Sequence, residues 1–62
     1  MNSTFLKNAP AYQIAGLWKA VSAAESGYAR NAAFWACVEA LEARGFAGNA
    51  RRFLEGAARW AR

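Results

Sequence analysis

The sequence contains no histidine and no aspartate. Without histidine there is no side chain whose ordinary titration falls near neutrality, and the commonest metal ligand is missing. A Ser-His-Asp triad cannot be assembled. The single cysteine, Cys37, can form no internal disulfide and cannot hold a metal alone. Leu, Ile and Val together number only seven in 62 residues. No stretch approaches the roughly 20 apolar residues of a membrane span. The opening MNSTFLKNAPAY lacks the apolar core of a secretory signal. A chain this short buries only about 60% of the surface its unfolded form exposes, so it has room for one domain, residues 1–62, and no large enclosed active site. A free cysteine and the missing signal predict a cytoplasmic protein.

What is present argues for helices. Alanine occurs 17 times, while Phe, Tyr and Trp supply nine residues. Alanine is the best helix former, and the aromatics must provide most of the buried area. Alternating strand patterns are nowhere visible. Residues 1–8 show no periodicity and read as an irregular arm, with Phe5 and Leu6 available to dock. Asn8 is placed to cap a helix over 9–25 whose stripe is Ile14, Leu17, Trp18 and Val21. Gly16 lies inside it, either at a close helix contact or as a weak point. Ser26-Gly27 stops it. A second helix over 28–44 carries Phe34, Cys37, Val38 and Leu41 on one face. Arg44-Gly45 ends it with a cation and a glycine.

Phe46-Ala47-Gly48-Asn49 reads as a turn and Asn49 as a cap. A third helix then runs on, with Ala50, Phe53, Leu54, Ala57, Trp60 and Ala61 as its apolar stripe. Arg51, Glu55, Arg59 and Arg62 line the other side, where Arg51 and Glu55 can pair. The fold class is therefore all-α: a three-helix antiparallel bundle, or a helical hairpin plus an N-terminal helix.

No catalytic or metal-binding constellation is present, and no cofactor is expected. Glu39 and Glu42 are helix neighbours on a solvated face. Cys37 shares the apolar stripe and has no histidine to activate it, so it reads as a buried structural thiol. The two glycines of GFAGN precede a helix but lack the lysine and the preceding strand of a phosphate loop. The protein is expected not to be an enzyme.

Two features point to partners. Residues 49–62 hold four arginines against one glutamate, a net +3 that suits phosphates or an acidic protein surface, or else an ordinary solvated face with Arg59 and Arg62 near the helix's negative end. Trp18, Trp35, Trp60, Tyr12 and Tyr28 are too many for one buried stripe per helix, and Trp, Tyr and Arg are the usual anchors of protein interfaces. Tyr28 and Trp35, with Arg51, Arg52 and Arg59, are the expected partner-binding residues. A chain this small is marginal alone, so self-association or a stable complex is expected. Direct DNA or RNA binding through the basic last helix is the alternative.

Two family resemblances follow from these residues. Phe34, Leu41, Gly45, Ala50, Leu54 and Ala57 resemble the packing positions of one tetratricopeptide-type hairpin. Glu25, Gly27, Tyr28, Ala32, Ala33, Trp35, Asn49 and Arg52 or Arg59 resemble the pattern of the small ANR proteins, negative regulators of AraC-type transcription activators. Gly27 and Tyr28 are adjacent here, and the later cysteine of that pattern has no counterpart. The resemblance implies a stoichiometric inhibitor that binds a transcription regulator or nucleoid protein. An inhibitor of a host nucleoprotein or defence complex, encoded by a phage, would use the same surfaces.

Overall fold

A computed structural model describes the backbone of residues 3–59 and the side chains of residues 6–59. All regular structure among them is helical: α1 (Ser3–Asn8), α2 (Ala11–Ala24), α3 (Gly27–Glu42) and α4 (Ala50–Arg59). The all-α expectation holds, with one element more than expected. Residues 3–8 form a helix, not an irregular arm. Proline explains why α1 and α2 do not merge. Pro10 disfavours helical backbone at Ala9, and the break falls at these two residues. Asn8 therefore closes α1, while Pro10 precedes α2 in extended conformation and its carbonyl accepts the N–H groups of Gln13 and Ile14 at 3.0 and 3.2 Å.

The connection between α2 and α3 is also shifted. Glu25 and Ser26 are both extended, and Gly27 opens α3 with φ +64°. The left-handed backbone expected of this glycine is present, but it begins one helix and does not end the other. The α3 terminus matches expectation. Gly45, at φ +93°, donates to the Glu42 carbonyl at 3.0 Å, and the Phe46 N–H donates to the Leu41 carbonyl at 3.1 Å. This bond pair closes a helix end through a left-handed residue, a role glycine fills without a Cβ clash. Phe46 then folds onto the core, and its ring centroid lies 5.1 Å from that of Phe53. The helix restarts at Ala50, directly after Asn49, whose carbonyl accepts the Phe53 N–H at 2.9 Å.

The core is small and formed largely by the expected stripes. Ile14, Cys37, Leu41 and Leu54 are fully buried, and Trp18, Val38, Ala33 and Ala50 join them. α2 packs on both α3 and α4, which also touch each other; α1 docks on α3. Leu6 of α1 and Ala9 contribute to the same cluster. The Phe5 side chain, Trp60, Ala61 and Arg62 lie outside the described residues.

Arg44 links this arrangement over long sequence distances. Its Nε donates to the Ala9 carbonyl at 2.6 Å, Nη2 to that of Leu6 at 2.6 Å, and Nη1 to that of Ala40 at 2.5 Å. A residue expected only to complement a helix end thus ties the end of α1, the break after it and the end of α3 together.

Gly16 marks no close helix contact. It is exposed, and a Cβ built there would meet nothing within 4 Å; the same space surrounds Gly56 in α4. Gly16→Ala and Gly56→Ala should each therefore stabilise the fold by about 0.5–1 kcal/mol through helix propensity. Thermal unfolding of the two variants and their combination is the measurement, and near-additive gains are expected.

Candidate functional site

Four aromatic and cationic groups connect the core to the surface. Trp18 is 4% exposed and meets Phe34 edge to face, with ring centroids 5.2 Å apart. Phe34 in turn meets Trp35 edge to face at 5.4 Å. Trp35 is 47% exposed, and the guanidinium carbon of Arg51 sits 5.5 Å from its ring centroid. Edge-to-face pairs contribute roughly 0.5–1.5 kcal/mol each beyond their buried area. A cation over an exposed tryptophan adds about 0.5–1 kcal/mol. Trp35 is thus a surface ring held from beneath by Phe34 and flanked by Arg51.

This contact replaces the expected Arg51–Glu55 pair, since no ion pair joins those two side chains. Glu55 instead lines a hollow of about 390 Å³ with Trp18, Gly27, Arg30, Asn31 and Phe34. The hollow lies among α2, α3 and α4, with Trp18 from the first, four residues from α3 and Glu55 from the last. Trp35 meets Arg51, and one turn further Asn31 faces the same space as Glu55, so α3 and α4 run in opposite directions. Arg30 also stands over the Trp18 ring, with its guanidinium carbon 5.7 Å from the centroid. Among the described residues the Trp18 Nε1–H has no acceptor.

The expected partner-binding residues separate as follows. Tyr28 is 87% exposed on α3, two turns before Trp35. Arg51, Arg52 and Arg59 are exposed on α4, and only Arg51 has a partner, Trp35, among the described residues. The structure brings Trp35 and Arg51 into contact and sets Tyr28 on the same helix as Trp35. Arg52 lies beside Arg51 in sequence but about 100° away around α4. Arg30, Asn31 and Glu55 were not expected at the site. Their one available signal was spacing: Asn31 lies four residues before Trp35 and Glu55 four after Arg51. Tyr12, 72% exposed at the start of α2, does not line the hollow.

Cys37 sits in the core away from this surface. Burial disfavours the thiolate and pushes its pKa above the ordinary thiol value. The folded state therefore holds the neutral thiol more strongly than the unfolded chain does. The resulting stability is complete below the unfolded thiol pKa, about 8.5, and is lost as pH rises beyond it. Denaturation of the wild type and Cys37→Ala at pH 7 and pH 10 checks this: the alkaline loss should be smaller in the variant. A thiol reagent should label Cys37 only as the protein unfolds.

Among the described residues no group of three or more cysteine and carboxylate side chains could hold a metal. No helix among them is long and apolar enough to cross a membrane. Comparison with protein-family models, curated proteins and solved structures finds no match to this chain.

Proposed function

We propose that this is a small, non-enzymatic regulatory protein that binds a protein partner stoichiometrically through its α3/α4 face. Inhibition of a transcription regulator or another nucleoprotein component is the activity this surface suits. The observation that carries the reading is Trp35. A half-exposed indole held by Phe34 and flanked by Arg51 presents apolar area at little further ordering cost, which is what an interface anchor needs. Tyr28 extends the surface along α3, and Arg51, Arg52 and Arg59 supply charge for orientation and association rate. The likeness to ANR regulators implies the same kind of activity; of its residues, Gly27, Tyr28, Ala32, Ala33 and Trp35 lie on α3, Glu25 just before it, and Asn49, Arg52 and Arg59 after it.

The test is affinity capture from nuclease-treated cell extract with the wild type and with Trp35→Ala and Tyr28→Ala. The wild type should retain one protein at stoichiometric yield, and each variant should recover at least tenfold less while keeping its helical spectrum. Equal recovery by Trp35→Ala with the fold intact would sink the assignment.

Nucleic-acid binding is a second reading, favoured by three exposed arginines on α4. Three phosphate contacts give a salt slope of about −2.7, a loss of about 40-fold between 50 and 200 mM salt. Anisotropy of a labelled random duplex at both concentrations measures it. Absence of binding at the lower one leaves the arginines to protein docking or to an ordinary solvated face.

A further inference from the structure

We propose that the hollow among α2, α3 and α4 binds a small zwitterion of the amino-acid type, its carboxylate toward the start of α3 and its ammonium toward Glu55. This site goes beyond the protein-binding reading and does not depend on it. The hollow is bordered by one cation and one anion, Arg30 and Glu55, and no ion pair joins them among the described residues. Arg30 stands over the Trp18 ring instead. A simple anion would meet Glu55, and a simple cation would meet Arg30. A ligand with one charge of each sign suits both.

The start of α3 sets the carboxylate end. Gly27 and Arg30 of its first turn line the hollow, Ser26 provides no side-chain cap, and the turn holds no acidic residue. Glu25, just before the helix, does not line the hollow. The unpaired N–H groups of a helix start carry positive partial charge, and Arg30 adds a full one. Such an end accepts a carboxylate readily. Trp18 is an independent observation, from a different helix. It is 4% exposed, it lines the same hollow, and its Nε1–H has no acceptor among the described residues. A buried donor without an acceptor is costly, and a ligand oxygen would supply one. The Trp18 and Phe34 rings offer an apolar wall to the ligand's side chain. The volume of about 390 Å³ lies near the lower limit for small-molecule sites, about 300–1,000 Å³. It suits one small molecule and not a length of peptide.

The probes are L-leucine and L-phenylalanine, added to the isotope-labelled full chain and followed by amide and indole NMR shifts. Two analogues of leucine accompany them: isocaproate, which lacks the ammonium, and isoamylamine, which lacks the carboxylate. Saturable shifts centred on Gly27, Arg30, Asn31, Glu55 and the Trp18 indole are expected. Each analogue should bind at least about tenfold more weakly than leucine, the effect of losing one charge-assisted contact. Glu55→Gln should weaken leucine by about the same factor and leave isocaproate no weaker, while Arg30→Gln should weaken leucine and leave isoamylamine no weaker, with helicity unchanged in both. Isocaproate or isoamylamine binding as tightly as leucine overturns the zwitterion. Saturable shifts elsewhere on the protein, or none with either amino acid at about 20 mM, beyond the millimolar range of weak recognition, overturn the inference. Capture through Trp35 tests the protein-binding reading separately.

Discussion

Trp18→Ala should leave much of the protein unfolded at 25 °C. Trp18 is the largest side chain in the core and contacts Phe34 and Arg30. Truncating such a residue costs about 3–5 kcal/mol through lost transfer energy and the cavity left behind. A 62-residue domain has a total stability of only about 3–9 kcal/mol. Trp18→Phe behaves differently. It retains an aromatic ring against Phe34 and removes an N–H that has no acceptor among the described residues. An unsatisfied buried donor costs about 1–3 kcal/mol, which offsets much of the smaller ring's lost packing. Urea denaturation should therefore place Trp18→Phe within about 1.5 kcal/mol of the wild type and Trp18→Ala far below both. Equal losses in the two variants would show that the indole N–H is satisfied in solution.

Arg44→Leu should release α1. The substitution keeps an apolar stem but removes three charge-assisted bonds to the carbonyls of Leu6, Ala9 and Ala40. Bonds to charged groups contribute about 1.5–3 kcal/mol each when isolated, but these three share one partly exposed guanidinium and will not add. A loss of about 2–4 kcal/mol is expected. Arg44→Lys should recover little of it, because one ammonium cannot reproduce a planar fork directed at three acceptors. Hydrogen exchange distinguishes this from general destabilisation. Amides of α1 and the first turn of α2 should exchange faster than those of α3 and α4. Uniform acceleration across all four helices would refute a local clamp.

The core stripes of α2 and α3 were legible because seven-residue spacing reports a buried helical face directly. Ile14 with Trp18, and Cys37 with Val38 and Leu41, are buried as their spacing predicts. The six residues of α1 are too few to display a period, and their helical state depends on docking against α3 and on Arg44. Gly27 was legible as left-handed backbone but not as the start of a helix. Of the candidate site, the exposure of Tyr28 and Trp35 could be anticipated by counting aromatics against available core. The contact of Arg51 with Trp35 could not. It depends on how α3 and α4 align across a seven-residue connection, and local sequence rules favoured the Glu55 partner instead.

The reach of Arg44 also sets an order of events during synthesis. The carbonyls of Leu6 and Ala9 wait for a donor 38 and 35 residues further along. The packing of α2 on α4 waits longer still, for residues 50–59. α1 is therefore made well before the side chain that locks it. Until the third helix is complete, α1 lacks both the surface it docks on and the donor that holds its carbonyls, and a nascent chain halted there would expose it to proteases and chaperones.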